Sequence, residues 1–323
     1  MTPTQEADSA LARFEADADR LIEDVIKRIV VTKVTPHKIV HYTDDKGLRG
    51  ILESGNLWFT DIFHLNDPSE LRHGCSFAAE HLNQLADRGG PDEREFAQKF
   101  GNFVRYGAPR SAKYFVCAFS ADYDDLGQWR AYADDGRGYA LEFDGAILEG
   151  KFAKNADGSA NAHNSTFAIT YEEGDLSAAH KALIDDALPL VGLPRKLSLN
   201  TADRNDFLKR LSVALSLRVL RSALFFKHHA YFAEQEFRFM QLYAADENPP
   251  NLQMRYRSHE MVKYLAFDWR GVCPDALKSI KVGPASDKQR SIRFARECLQ
   301  AFQPTRVEIV ASAIPYRSVG RES

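Results

Sequence analysis

Four short polar clusters carry side chains able to bind a ligand or move a proton. They are His41-Tyr42-Thr43, Asn66-Asp67-Pro68-Ser69-Glu70, Ser120 with Gln128-Trp129-Arg130-Ala131-Tyr132, and Glu234-Gln235-Glu236-Phe237-Arg238. Each stands at the end of an apolar or periodic run, where a fixed backbone can present it. Glu234 and Glu236 are two residues apart in a segment that alternates as a strand, which predicts both carboxylates on one face. Two acids on a core-facing side are costly without partners. They imply either acid–base work at a site or a salt-bridge network with Arg238 or Arg130. Gln128, Trp129 and Arg130 open a helix and offer an amide, an aromatic wall and a guanidinium. Tyr132 follows Trp129 by three residues on the same helical face, and plain aromatic packing explains that pair equally well. Near the end of the chain, Tyr316 and Arg317 follow an Ile-Pro step that restricts the backbone, and are expected to fold back toward the carboxylate strand.

The elements that must position these clusters follow from periodicity. Residues 5–30 carry Leu11, Phe14, Ala18, Leu21, Val25 and Ile29 at three- and four-residue steps, an amphipathic helix. Its apolar stripe packs on the chain's own core, makes a homodimer contact or forms a lid. Ile39-Val40 opens a strand that closes on His41-Tyr42-Thr43. Leu48, Ile51 and Leu52 then predict a helix stopped by Ser54-Gly55, and residues 56–60 a second strand. Asp67-Pro68 reads as a cap and first helical position. Strands are expected at 113–120, 138–144, 166–172 and 234–244, a loop at 145–165, and mostly helix near 175–226. The C-terminal third alternates strand and helix. Together these predict an α+β fold, residues 31–323 forming a single domain around a mixed, mainly antiparallel sheet with flanking helices.

Composition narrows the function. Hydrophobic residues make up 44% and charged residues 27%, as in an ordinary globular protein, and the net charge of −3 gives no bulk drive toward nucleic acid or membrane. The four cysteines, Cys75, Cys117, Cys273 and Cys298, are widely spaced, which argues against a disulfide framework and for a cytoplasmic setting. The acidic N-terminal stretch is unlike a secretory signal, and no apolar run suggests a membrane span. The histidines show no paired ligand spacing, so no metal is expected. His73 and His81 are two helical turns apart, too far for shared chelation. Arg204, Lys209, Arg210, Arg218, Arg221 and Lys227 read as a solvated basic helix face or, less simply, a nucleic-acid contact.

The segments "HYTDDKGLRGILESGNLWFT", "LNDPSE", "FVCAFS", "LGQWRAYADDGRGYALEFD", "FKHHAYFAEQEFRF", "IKVGP" and "SAIPYR" resemble, in order, a bacterial family of unknown function, DUF2971. They cover most of residues 39–317. More loosely, a strand histidine, "GLRGILESG" and a second strand look like the opening of ADP-ribosyltransferase-like domains. That resemblance implies NAD as substrate, with His41 holding a ribose hydroxyl, an aromatic residue (Trp129 or Tyr132) stacking on nicotinamide, Glu236 contacting the nicotinamide ribose and Glu234 as the preceding acid. Tyr42, Thr43, Ser120, Gln128 and Arg130 would line the NAD site, with Asn66, Asp67, Glu70, Arg238, Tyr316 and Arg317 around the same cleft. Nicotinamide loss passes through an oxocarbenium-like sugar, which a carboxylate stabilises. The acceptor would be nucleic acid or protein, in a toxin or phage-defence setting. The alternative is a non-enzymatic module that binds a nucleotide or nucleic acid.

Overall fold

A computed structural model describes residues 1–30, 35–65, 69–107, 111–257, 259–302 and 306–318, the side chains of residues 29, 30, 69 and 70 excepted. The chain forms two compact units. One gathers residues 1–33, 66–113 and 169–230; the other gathers 34–65, 114–168 and 231–323. The N-terminal helix and residues 66–113 therefore group with the helical segment expected near 175–226, and the main domain foreseen over 31–323 is divided.

The first unit is helical: Pro3–Val30, Ser69–Arg88, Pro91–Asn102, Glu173–Val191 and Thr201–Ala223 are its long elements. Ala7, Leu11, Phe14, Ala18, Ile22 and Val25 of the first helix are buried, Ile22 taking the place expected for Leu21. The helix packs on Thr201–Ala223 and Glu173–Val191. Ion pairs from Arg210 to Asp8 and from Arg218 to Asp19 fasten it. The apolar stripe over residues 7–25 is thus packed within the unit, and nothing in it supports the homodimer reading. The basic run is likewise partly neutralised. Arg204 meets Asp92 at 2.6 Å and Glu95 at 2.7 Å.

The second unit is built on a ten-stranded sheet. In chain order the strands are β1 (Lys38–Thr43), β2 (Asn56–Asp61), β3 (Ala112–Ser120), β4 (Tyr139–Asp144), β5 (Asn164–Ala168), β6 (Glu236–Ala244), β7 (Gln253–Arg257), β8 (Glu260–Asp268), β9 (Leu277–Val282) and β10 (Glu308–Ala311). They run in the order β10-β9-β4-β1-β3-β2-β8-β7, while β6 pairs with β3 and carries β5. Apart from the parallel pair β9/β10, the registered pairs are antiparallel. This mixed sheet with flanking helices is the α+β architecture expected.

Strand alternation sorts the sheet into two faces. Ile39, Phe115, Cys117, Phe119, Leu141, Phe143, Phe237, Phe239 and Ile280 join one core, covered by Leu48 and Leu52, Leu148 and Phe152, and Trp269. Val40, Tyr42 and Ala140 face the other way and meet Trp129 and Ala133. The helix Asp45–Ser54 ends as predicted. Gly55 takes φ 70°, a left-handed conformation natural to glycine, and its N–H returns to Ile51 O at 3.0 Å. The loop expected over 145–165 instead begins with a helix, Gly145–Phe152, capped by Asp144, which accepts from Ile147 N at 3.1 Å. Composition concealed this helix because only Leu148 and Phe152, four residues apart, are needed to anchor it.

In the helical unit His180 is fully buried, with Nε2 2.8 Å from the Ser222 hydroxyl. Burial lowers its pKa to about 4. The unfolded chain therefore takes up a proton before the folded one does, and stability falls as pH drops from about 6.5 toward 4. The loss is about 3 kcal/mol. In His180→Leu, urea unfolding across this range should show a correspondingly flatter pH dependence.

Candidate functional site

Tyr42, Ser120, residues 128–132 and Glu234 of the second unit converge around the end of β3 and the short helix Leu126–Tyr132. Asp125 caps that helix, accepting from Gln128 N at 2.7 Å. Its neighbour Asp124 does more. Its carboxylate accepts Trp129 Nε1–H at 2.7 Å, the Ser312 hydroxyl at 2.8 Å and Ala313 N–H at 3.3 Å, and lies 3.3 Å from Lys281 Nζ. Burial alone would raise the Asp124 pKa; the Trp129 and Ser312 hydrogen bonds and the Lys281 charge bring it below its ordinary value. Lys281 also lies 3.3 Å from the centre of the Tyr123 ring, and burial lowers its own pKa against the pull of Asp124. Beside it, Glu142 accepts from Ser279 at 3.0 Å and pairs with Lys38 at 3.1 Å.

Backbone bonds complete this joint. Gly283 N–H donates to Gly138 O and Ala285 N–H to Gly136 O, both at 2.9 Å, and Ser312 N–H donates to Val282 O at 2.9 Å. Tyr316 donates to Asp135 at 2.8 Å. Three separated segments, around residues 124–142, 279–285 and 312–316, are thereby held in one place. Sequence reading missed Asp124, Lys281, Glu142 and Ser312. The signal was present in the doubled Asp124-Asp125, since one cap needs only one of the two.

Trp129 is fully buried, edge-on to Tyr42 with ring centres 5.0 Å apart. It is therefore a core residue, closed to a nicotinamide. Tyr42 donates to Asp122 O and accepts from Asp125 N–H, each at 3.2 Å. Gln128 is buried, and Arg130 is largely exposed with Nε 3.6 Å from Asp135.

The two acids have different surroundings. Glu234 ends a 3-10 helix, His229–Glu234, and Gln235 has φ 43°, so β6 begins only at Glu236. The expectation that both carboxylates share one strand face fails, because pleat alternation does not extend across a left-handed residue. Glu234 is half-buried and accepts from Tyr132 at 3.1 Å. Its carbonyl accepts the Ser120 hydroxyl at 2.7 Å, and Gln235 O accepts Ala121 N–H at 2.8 Å. Glu236 is buried and grips Arg238 with both oxygens, at 2.5 and 3.2 Å. This is the salt-bridge arrangement anticipated as one of the two alternatives.

His41 points away from this group. It shares a strand face with Ile39, lies edge-on to Phe119 and donates from Nδ1 to Ala118 O at 3.0 Å. Burial lowers its pKa below the ordinary histidine value. Glu236 and Arg238 alternate with Phe237 and Phe239, which join the same core as Ile39 and Phe119. The pleat therefore sends His41 and Glu236 to opposite faces of the sheet. Thr43 falls with His41, and Tyr42 with Trp129. Arg317 is exposed. Asn66 and Asp67 lie outside the described residues, and of Glu70 only the helical backbone is described. Two surface clefts of about 710 and 730 Å³, one around Arg270 and one around Arg296 and Arg306, are lined by none of the predicted residues.

A family model described as a protein of unknown function, DUF2971, matches residues 128–239. This is narrower than the span of shared motifs and runs from Gln128 through both acids to Phe239. No curated protein and no solved structure matches the chain. Among the described helices none is long and apolar enough to cross a membrane.

Trp129→Ala should lower stability by about 3–5 kcal/mol, the cost of emptying a filled aromatic site. Tyr132→Phe, which removes one partly exposed hydrogen bond, should cost about 1 kcal/mol or less. Urea unfolding of the two variants measures the difference.

Proposed function

We propose that the surface around Glu234 and Tyr132 binds a nucleotide. The observation that carries this reading is the accessible Tyr132–Glu234 pair at the junction of a helix end and a strand start. Glu234 offers acceptor oxygens suited to ribose hydroxyls. Tyr132, 37% exposed, offers a ring for a base to stack on. Arg130, on the same short helix, is largely exposed, its surface ion pair with Asp135 and its contact with Tyr316 are of little strength, and it can turn to a phosphate. Buried Trp129 and the half-buried Asp124 that holds its indole give the short helix a rigid floor. Purified chain should bind NAD or ATP in equilibrium dialysis. Glu234→Gln and Tyr132→Ala should each weaken binding about tenfold while melting changes little. Failure of NAD, ATP and the common mononucleotides to bind below about 1 mM would contradict this reading.

ADP-ribosyl transfer from NAD to nucleic acid or protein, as in a bacterial defence enzyme, is a second reading. One observation favours it: an accessible carboxylate, Glu234, sits two residues from a second acid. The roles then differ from those expected, since Glu236 is paired with Arg238 inside the strand and Glu234, half-buried at the turn, is the acid placed to face a developing oxocarbenium. On this reading Glu234→Gln lowers nicotinamide release about a hundredfold, about 3 kcal/mol in the barrier. Glu236→Gln acts mainly by lowering the melting temperature. Nicotinamide release equal in wild type and Glu234→Gln would dismiss the catalytic assignment and leave nucleotide binding to its own test.

A further inference from the structure

In the helical unit, three residues far apart in sequence meet: His73, Glu173 and His228. One donor atom from each lies within 4.8 Å of the others. His73 Nε2 is 3.0 Å from Glu173 Oε1, and the His73 and His228 rings are 4.8 Å apart, inclined at 64°. We propose that these residues form a binding site for a divalent transition-metal ion, independent of the nucleotide surface above.

The backbone builds this meeting in three steps. His73 stands near the start of the Ser69–Arg88 helix. That helix lies close to the end of the Thr201–Ala223 helix, since a Cβ on Gly74 would fall 2.7 Å from the Ala223 side chain. Glycine next to His73 therefore permits the approach that brings His73 toward the segment following Ala223. Glu173 is the first residue of the Glu173–Val191 helix. The strand-like link Thr170 N–H to Phe225 O at 2.9 Å, with Lys227 N–H to Thr170 O at 3.1 Å, then locks the approach to Glu173 against the approach to His228. Phe77 supports the His73 ring edge-on at 5.5 Å.

The donor set fits one class of ion. Two imidazoles and one carboxylate suit zinc and its first-row neighbours, whereas magnesium and calcium prefer all-oxygen sites. At metal bonds of about 2.0–2.1 Å, donors in a tetrahedral site lie roughly 3.3 Å apart. The His73–Glu173 separation is already near that value, and His228, exposed and outside a helix, is the side chain that closes. Its Nδ1 now accepts Ala230 N–H at 3.0 Å. Capture of the cation through Nε2 moves the ring proton to Nδ1 and gives up that one solvent-accessible bond. His73 likewise binds through Nε2, giving up its contact with Glu173 while its single ring proton moves to Nδ1. Three protein ligands leave a coordination position for water or a substrate. No spacing motif announces such a site, because its ligands are 100 and 55 residues apart and come from two helices and a loop.

The test uses the full chain, free of any histidine tag, with Zn²⁺ alone followed by calorimetry and Co²⁺ alone followed by visible absorption. The proposal expects one tight equivalent per chain and d–d bands of a low-coordinate cobalt site. His228→Ala and Glu173→Gln should each weaken Zn²⁺ binding about tenfold or more, with circular dichroism unchanged. The exposed His228 decides the matter if His73→Ala proves unstable. No binding tighter than about 1 mM, or tight binding indifferent to His228→Ala and Glu173→Gln, would overturn the proposal.

Discussion

The Asp124 carboxylate is the interaction on which the second unit's polar architecture depends. One half-buried anion holds the indole of Trp129, the hydroxyl of Ser312, the amide of Ala313 and the ammonium of Lys281. A charge in such a place is tolerated only when hydrogen bonds and a counter-charge replace the water it loses. Here the replacements come from three segments of the chain, at Trp129, Lys281 and Ser312-Ala313. The desolvation cost thereby becomes a constraint that specifies which segments meet.

The consequences run outward from that point. With its N–H satisfied, Trp129 can be buried completely against Tyr42. The buried indole fixes the short helix that carries Tyr132 and Arg130. Tyr132 reaches Glu234, while Ser120 and Ala121 fasten the backbone at residues 234 and 235. The left-handed Gln235 separates the two acids into different roles. Glu234 stays accessible at the turn. Glu236 enters the strand and is spent on Arg238.

Much of this was legible in the sequence, and the parts that were not share a physical reason. The strands at 38–43, 56–61, 112–120 and 139–144, and the helix stop at Gly55, follow from local pattern, where one short window holds the whole signal. The clusters at Ser120, Gln128–Tyr132 and Glu234–Arg238 do come together in one unit. The sharing of a face did not follow. His41 and Tyr42 are adjacent and so point oppositely, and one left-handed residue changed the phase between Glu234 and Glu236. Partners such as Lys281 and Ser312, or His73 with Glu173 and His228, were invisible because tertiary contact joins residues that no window contains. The Gly145–Phe152 helix was hidden by a sequence with few anchors.

The central claim is that Asp124 couples the short helix to the C-terminal segment. Hydrogen exchange followed by mass spectrometry, comparing wild type with Asp124→Ala under native conditions, tests it most directly. The account predicts that amide protection falls together in residues 126–136 and 311–316, with β4 and the middle of β8 unaffected. Loss confined to residues next to position 124, with 311–316 as protected as in wild type, would contradict it.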